Sequence, residues 1–169
     1  IASVLCKDPV IYIDDRWLYE QESHLSDIKE LDLNAQVPKV SISGKDLTIV
    51  ASGHSSFLAR KACEKLNEMS IYPEIIDVRI LNPLHIDDIL KSVKKTKKLL
   101  VIDPGWISSG FSAELVAKTV ENLDINCLKS PPVRIALANA PAPTSRVIEK
   151  EYYTSEEDII EVVRNLYNV

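Results

Sequence analysis

The turn from Ser52 to Ser56, S-G-H-S-S, contains the residue types best suited to hold an anion. It lies between an apolar run that predicts a strand and a helical pattern, so backbone N–H groups, hydroxyls and an imidazole would meet at a helix N-terminus. A phosphate or carboxylate could bind there, with Gly53, His54, Ser55 and Ser56 as the site. The turn has one glycine where a dinucleotide fingerprint has three, and it lacks the lysine of a P-loop. We therefore favour the simpler interpretation that Ser55 or Ser56 caps the helix, and keep the anion site as an alternative.

A second corner with candidate functional residues runs from Asp103 to Phe111 and reads D-P-G-W-I-S-S-G-F. An apolar run enters the corner and an Ala/Leu/Val helical pattern leaves it, which predicts a strand, a glycine turn and a helix N-terminus. Open α/β sheets place ligands and partner contacts at such junctions. Ser108 to Gly110 is therefore a second candidate for an anion site. Trp106 and Phe111 flank the turn and could either pin the loop or anchor a partner contact; we favour pinning.

The remaining polar residues give little support to other chemistries. Four aspartates lie near predicted strand ends: Asp14, Asp15, Asp77 and Asp103. A phosphoacceptor pocket would need them in one sheet with a lysine and a threonine, and a predicted linker separates the first two from the sheet. The histidines His24, His54 and His85 show no metal-ligand spacing, and no G-x-S-x-G nucleophile elbow is present. The residues alone predict a stable α/β domain without a self-contained active site.

The composition disfavours several classes of partner. A formal charge of −5 and a pI of about 5.3 make a nucleic-acid backbone an unfavourable ligand. Three widely spaced cysteines, Cys6, Cys63 and Cys127, indicate reduced thiols of a cytosolic protein. No apolar run reaches the length of a transmembrane span, and no signal peptide is visible. The densest basic patch is predicted to lie at a helix C-terminus, where the helix dipole favours cations: Lys91, Lys94, Lys95, Lys97 and Lys98.

Strand and helix patterns alternate along the chain from residue 46 onward. Apolar runs predict strands at 47–51, 74–80, 99–102 and 133–138. Helical periodicity predicts helices at 55–69, 86–96, 112–123 and 156–166, the last one capped by Ser155 with Asp158. Strands that are separated by helices form right-handed βαβ units. We therefore expect an α/β fold, a three-layer α/β/α sandwich with a mostly parallel sheet, over residues 46–169.

Residues 1–45 show a different pattern. Residues 1–7 are typical of the tail of a helix, Asp8 and Pro9 break it, and P-V-I-Y-I-D then predicts a strand. A helix tail and a single strand cannot bury their own faces. We therefore expect residues 1–20 to be the tail of a preceding domain in a longer polypeptide. Residues 21–45 lack a sustained period and are expected to be a linker.

Several segments, in order, resemble one family. D-P-V-I-Y-I-D-D-R-W-L-Y is similar to the last strand of the pyrimidine-binding domain in the beta subunit of the first component of 2-oxo acid dehydrogenase complexes. G-K-D-L-T-I-V-A-S-G is similar to the first strand of the transketolase-like C-terminal domain that follows it. Four later segments resemble landmarks of that domain: I-I-D-V-R-I-L-N-P-L, V-I-D-P-G-W-I-S-S-G-F-S-A-E-L, P-P-V-R-I-A-L-A-N-A-P-A-P and E-E-D-I-I-E-V-V-R-N-L. The resemblance covers essentially the whole chain.

The resemblance implies that the chain is part of an enzyme. Members of this family use thiamine diphosphate and magnesium to decarboxylate a 2-oxo acid or to transfer a two-carbon unit, but the residues that bind and activate the cofactor lie in other domains or subunits. No catalytic, cofactor-binding or metal-binding residue is therefore expected in this chain. The implied role is to build a dimer or heterotetramer. Its implied partners are the preceding pyrimidine-binding domain, a second copy or an alpha subunit, and the acyltransferase core.

The positions implied as subunit or partner contacts are Trp106, Phe111, Tyr152 and Tyr153. The implied location is the cytoplasm, or the mitochondrion for a eukaryotic protein. Two departures from the family pattern leave a transketolase-like enzyme of sugar metabolism open. Residues 107–109 are less rich in glycine than the family turn often is, and Thr144 stands where an aromatic residue is usual. An independent module that binds an anion at one of the two turns above is the third alternative.

Overall fold

The computed structural model describes residues 1–22, 32–124 and 126–168 of the chain. Within these ranges the strands are β1 (Lys39–Ile42), β2 (Leu47–Ala51), β3 (Pro73–Asp77), β4 (Leu99–Trp106) and β5 (Val133–Leu137). The α-helices are α1 (Ala2–Leu5), α2 (Gly53–Glu68), α3 (Asp87–Thr96), α4 (Phe111–Glu121), α5 (Arg146–Tyr152) and α6 (Glu156–Tyr167). Short 3₁₀ turns occupy Arg16–Leu18 and Leu33–Ala35.

The five strands form one sheet in the order β1-β3-β2-β4-β5. Strand β2 pairs in parallel with β3 and β4, and β4 pairs in parallel with β5, whereas β1 is antiparallel to β3. Side chains of β2 alternate between two apolar layers, because Ile49 packs with residues of α2 and α6 while Val50 packs with residues of α3 and α4. A strand that is covered on both faces needs no polar alternation. The predicted three-layer α/β/α sandwich with a mostly parallel sheet is confirmed.

The predicted helices are present with boundaries shifted by at most two residues. The capping signal before α6 is confirmed: Ser155 Oγ accepts a hydrogen bond from Asp158 N at 3.2 Å, and Asp158 Oδ2 accepts one from Ser155 N at 2.7 Å. None of the helices in the described ranges combines the length and the apolar character that a membrane span needs.

Two elements are absent from the sequence-based prediction. Strand β1 lies inside the segment that was predicted to be a linker, and it joins the sheet at its edge by pairing with β3. The proline at position 38 and the short length of β1 hide it from a periodicity argument, although an edge strand tolerates a proline before it. Helix α5 occupies a stretch predicted to be irregular and solvated. Its side chains Val147 and Ile148 are 76% and 59% exposed, so it has no buried stripe to reveal it.

The predicted N-terminal strand is not formed. Residues 9–15 are extended but belong to no sheet, because no described strand lies beside them to complete a ladder. The side chains of Ile11, Tyr12 and Ile13 are 91%, 76% and 76% exposed, although the run is strongly apolar. We call residues 9–19, which comprise this extended run and the turn after it, the strap.

The topology creates a crevice at the carboxyl ends of β2 and β4. From β2 the chain turns toward β3 through α2, and from β4 it turns toward β5 through α4. Helices α2 and α4 pack on opposite faces of the sheet, so their N-termini diverge above two neighbouring strands. This is the switch point at which open α/β sheets bind ligands. Both turns that were selected from the sequence lie there.

Candidate functional site

The N-terminus of α2 is occupied by a carboxylate from the strap. Asp15 Oδ2 accepts a hydrogen bond from the backbone N–H of His54 at 2.9 Å, and Asp15 Oδ1 accepts one from Trp17 N at 3.1 Å. Ser52, the residue that precedes the helix, makes no side-chain capping bond. The interpretation that Ser55 or Ser56 caps the helix is therefore wrong. Asp15, 39 residues away in the chain, supplies the cap.

Gly53 allows this approach. Its φ of +53° is unfavourable for residues that carry a Cβ, and a Cβ built there would lie 3.3 Å from Asp15 Oδ2. The two serines of the predicted anion site are buried, since Ser55 and Ser56 are 5% and 1% exposed. Ser55 lines the cavity beside Asp15, and Ser56 Oγ accepts from Arg60 Nη1 at 3.0 Å. An external anion at this turn would meet the Asp15 carboxylate, which already uses the helix N-terminus.

The N-terminus of α4 is also filled by a carboxylate of the chain. Asp103 is 5% exposed; its Oδ1 accepts from Gly105 N at 2.8 Å and its Oδ2 accepts from Ser112 N at 2.6 Å. Gly110 is required in this turn because a Cβ there would lie 2.0 Å from Trp106 O. The second predicted anion site thus has its helix N-terminus satisfied internally as well.

The backbone and hydroxyl of Ser108 are used in the same way. Ser108 N donates to Asn139 Oδ1 at 3.3 Å, and Asn139 Nδ2 donates to Ser108 Oγ at 2.7 Å. Arg134, which comes from β5, donates from Nη1 to Ile107 O at 2.9 Å. These bonds fasten the turn after β4 to β5, so the backbone N–H and the hydroxyl of Ser108, which could have held an anion, stabilise the corner instead.

An aromatic cluster joins the two turns. The ring of Trp17 lies 5.0 Å from the ring of His54 and 5.4 Å from that of Tyr153, and Tyr153 lies 5.1 Å from Tyr152. Trp106 Nε1 donates to the hydroxyl of Tyr152 at 3.1 Å. The structure therefore brings together one residue of the predicted anion site and three of the predicted contact positions. The remaining predicted contact, Phe111, is half-buried and packs against the α3–α4 layer instead.

A small cavity lies beneath this cluster. It measures about 110 Å³, room for a few water molecules, and is lined by residues that include Trp17, His54, Leu58 and Tyr153. Burial lowers the pKa of His54, while the neighbouring Asp15 carboxylate opposes the shift, so the imidazole is predominantly neutral at pH 7. Asp15 is thus the charged side chain among the described residues that line the cavity. A wall with this charge does not favour a phosphate or a carboxylate.

The other candidate residues do not assemble into a site. Asp77 lies at the end of β3, where burial raises its pKa against the opposing effect of nearby cations such as Arg60. No group of three metal-ligating side chains is found in the part of the chain that the structure describes, and His24 lies outside it. The basic patch is largely paired: Lys91 with Asp88 at 2.8 Å, Lys95 with Glu74, and Lys98 with the carbonyl of Leu166 at 3.1 Å.

The cysteines agree with reduced thiols. Cys6, Cys63 and Cys127 are all free, and burial raises the pKa of the Cys63 thiol to about 11. A thiol with such a pKa is a poor nucleophile at neutral pH.

Sequence reasoning missed the roles of Asp15 and Trp17. A weak signal was available, because a helix that begins with Gly-His and lacks its own side-chain cap needs an acceptor from elsewhere. The pair Asp14–Asp15 also stands immediately before a short turn, where an aspartate commonly accepts from the backbone two residues later. Neither signal identifies which distant segment meets which helix.

The fold and the site define a parallel α/β domain whose ligand crevice is closed by its own carboxylates and aromatic rings. The family described as the transketolase C-terminal domain matches residues 37–159. The chain belongs to this family. The earlier resemblance is therefore confirmed at the level of the domain.

Curated relatives that match most of the chain include pyruvate dehydrogenase subunits. The chain is 32% identical to the pyruvate dehydrogenase E1 component subunit beta, mitochondrial, of Dictyostelium discoideum, over 94% of this chain and 45% of that protein. It is 34% identical to subunit beta-1 of the mitochondrial enzyme of Arabidopsis thaliana, over 94% of this chain and 44% of that protein. The chain thus spans about half the length of the curated relatives it matches.

Solved structures agree on the fold. A split-gene transketolase described as an inactive beta4 tetramer superposes with a TM-score of 0.66 at 19% identity, covering 85% of this chain and 46% of that one. A 2-oxoglutarate:ferredoxin oxidoreductase from Magnetococcus marinus superposes with a TM-score of 0.54 at 15% identity, covering 77% of this chain and 19% of that one. At these identities the likeness shows the shared α/β architecture.

Proposed function

We propose that this chain is the C-terminal assembly domain of a thiamine-diphosphate enzyme of the pyruvate dehydrogenase E1 beta type, and that it has no catalytic activity by itself. The observation that carries the proposal is the closed crevice of a domain whose relatives are such subunits. The position where α/β domains bind a diphosphate holds two carboxylates of the chain itself. A domain built in this way contributes surfaces to an enzyme, while the cofactor and magnesium are held elsewhere in the parent.

The residues of the crevice do not fit thiamine diphosphate. A diphosphate needs free backbone N–H groups, cations or a metal ion. The N–H groups of His54 and Ser112 already donate to Asp15 and Asp103. Among the residues that the structure describes, no cationic side chain lines the cavity beside the aromatic cluster. A diphosphate brought there would therefore meet negative charge without compensation.

The strap is the first proposed contact surface. Ile11 and Tyr12 are adjacent in the extended run, where successive side chains alternate in direction, and both are at least three-quarters exposed. A segment that is apolar on both sides is typical of an inner strand of a parallel sheet, which has a helical layer on each face. The occupant that fits is the sheet of a pyrimidine-binding domain, whether from the same polypeptide or from a separate one.

The second proposed contact surface lies around α5. Its side chains Val147 and Ile148 are exposed, and Trp106, which is held by Tyr152, is 52% exposed. Apolar side chains with a fixed aromatic residue are common in protein interfaces. We assign this surface to a second copy or an alpha subunit, with the acyltransferase core as a further partner of the assembled enzyme.

The alternatives receive less support. The transketolase-like enzyme of sugar metabolism is less supported, because the curated relatives compared above are named as pyruvate dehydrogenase subunits. The independent anion-binding module conflicts with the carboxylates at both helix N-termini. For location we propose the mitochondrion if the parent is eukaryotic and the cytoplasm otherwise, following relatives named as mitochondrial.

Two measurements test the proposal. The first titrates the purified chain with magnesium thiamine diphosphate in a calorimeter and assays decarboxylation of pyruvate; we expect neither saturable heat nor turnover. The second co-expresses the chain with a polypeptide that carries the pyrimidine-binding and diphosphate-binding domains of a pyruvate dehydrogenase E1, and we expect co-purification. Charged substitution of the strap, Ile11→Asp, should abolish co-purification, whereas Lys61→Asp on the outer surface of α2 should not. Turnover by the chain alone, or co-purification that ignores Ile11→Asp, would refute the proposal.

A further inference from the structure

We infer that Asp15 is a positioning residue that holds the strap closed over the crevice and thereby fixes the direction in which Ile11 and Ile13 face a partner. The inference rests on the proposed assembly function for its final step. The closed strap itself can be tested in the chain alone. Asp15 is only two residues from Ile13, so little freedom remains between the anchor and the apolar side chains that it would orient.

The anchor is strong because charge, geometry and backbone conformation agree. The Asp15 carboxylate accepts from His54 N at 2.9 Å at the positive end of the dipole of α2, a helix of 16 residues. Its second oxygen accepts from Trp17 N, which shapes the 3₁₀ turn and holds the carboxylate in place. Gly53 leaves the space that the carboxylate fills. One side chain thus fastens the strap both to itself and to the domain.

The remaining contacts of the strap are weak by comparison. Trp17 touches the rings of His54 and Tyr153, but it is still 54% exposed. Asp14 accepts a hydrogen bond from the hydroxyl of Tyr19 at 2.5 Å, a bond within the strap that does not reach the domain. A segment with few buried contacts opens locally at a much lower cost than the domain unfolds. The Asp15 contact therefore contributes a large share of the free energy that keeps the strap closed.

A fixed strap would matter for assembly because ordering costs binding free energy. A segment that is already held in the bound direction loses less conformational entropy when a partner covers it. Loss of the anchor should leave the fold intact and weaken association, because the two apolar layers of the core contain no residue of the strap. The effect would then be on affinity and not on whether the partner can be recognised.

The test compares Asp15→Ala with the neighbouring Asp14→Ala as a matched control. Opening of the strap is followed by the hydrogen-exchange protection of the His54 amide and by the rate of tryptic cleavage after Arg16. Trp17 fluorescence, measured in a Trp106→Phe background that leaves a single tryptophan, gives a third readout. For Asp15→Ala we expect about fivefold lower protection and about fivefold faster cleavage, the change that a typical N-cap of about 1 kcal/mol predicts. Asp15→Asn, which keeps an acceptor oxygen, should recover part of the protection, and Asp14→Ala should retain the wild-type values.

Affinity for the co-expressed E1 polypeptide completes the test, and we expect it to fall about fivefold in Asp15→Ala only. Equal protection and equal cleavage in Asp15→Ala and the wild type would overturn the closed strap, whatever the outcome of co-purification. An opened strap with unchanged affinity would overturn the positioning role while leaving the assembly function in place. Failure of the wild-type chain itself to bind the polypeptide would overturn the assembly function, and the exchange and cleavage data would still decide the role of Asp15 in the strap.

Discussion

Replacing Asp103 by asparagine should destabilise the domain far more than expected for a substitution that keeps the size and shape of the side chain. The carboxylate is 5% exposed and is the acceptor for two backbone N–H groups, those of Gly105 at 2.8 Å and Ser112 at 2.6 Å. Hydrogen bonds to a charged acceptor contribute about 1.5–3 kcal/mol each. Asparagine keeps one acceptor oxygen and places an NH₂ group against the other N–H. We therefore expect a loss of about 1.5–3 kcal/mol, and about 3–5 kcal/mol for alanine, which removes both acceptors.

The surrounding turn cannot relax to compensate for the loss. A Cβ at Gly110 would lie 2.0 Å from Trp106 O, so the backbone already packs at its closest distance beside the carboxylate. The Ser112 N–H is the donor at the beginning of α4, in a residue with 0% exposure, so water cannot readily replace the lost acceptor. The cost should therefore appear in full as a decrease in the free energy of unfolding.

Urea unfolding followed by circular dichroism measures this decrease, with the slope against urea checked for constancy. Asp124→Asn on the exposed surface after α4 is the control and should change stability by less than about 0.5 kcal/mol. A domain of ordinary stability has about 5–15 kcal/mol, so Asp103→Ala can fail to fold while Asp103→Asn remains measurable. A loss below about 0.5 kcal/mol for Asp103→Asn would refute the claim that this carboxylate holds the corner.

Two further predictions concern charge and pH. Glu74 is 4% exposed and is paired with Lys95. Burial raises the pKa of this carboxyl, but the hydrogen bonds from Lys95, Ser92 and Gly44 N together lower it. Glu74→Gln should therefore cost about 1–3 kcal/mol in urea unfolding at pH 7, and its difference in stability from the wild type should shrink as the pH falls below about 4.5. The pKa of His54 is lowered in the folded protein, so the unfolded chain binds more protons near pH 6.5. The contribution of neutral His54 to stability should therefore be present above that pH and be lost as the pH falls through the folded-state pKa. Thermal unfolding of the wild type and His54→Gln between about pH 5 and 8 measures this loss, and parallel stability curves for the two proteins would contradict it.

The layered architecture could be predicted because it depends on local patterns. The apolar run of β2 and the capping box of Ser155 with Asp158 each lie within a few neighbouring residues, and the structure contains both. The crevice could also be predicted, since a glycine corner between a strand and a helix marks the carboxyl edge of a parallel sheet. The strap run 9–15 shows the limit of this reasoning. Its apolar pattern satisfies the rule for a strand, but a strand also requires a neighbour, which the described residues do not supply.

The contents of the crevice could not be predicted because they depend on contacts between distant parts of the chain. Asp15 and His54 are 39 residues apart, and Trp106 and Tyr152 are 46 apart, so no local spacing relates either pair. From the sequence, an anion at the N-terminus of α2 was the alternative to a serine cap, and the structure places an anionic group there. That group is a carboxylate of the chain, because a side chain held by its own backbone is always present at high effective concentration.

The two carboxylates of the crevice have the same chemistry but different consequences. Asp103 caps a helix only nine residues away, so its hydrogen bonds form whenever β4 and α4 form, and their loss should lower global stability. Asp15 caps a helix across 39 residues and a strap with few other contacts, so its bond can break while the domain stays folded. Global unfolding should therefore respond strongly to Asp103 and weakly to Asp15, whereas local exchange at His54 should respond in the opposite order. One carboxylate of the crevice holds the corner rigid and the other attaches the strap, so both helix N-termini are capped by side chains of the chain itself. This arrangement supports the proposal that the domain contributes to its parent enzyme through its surfaces.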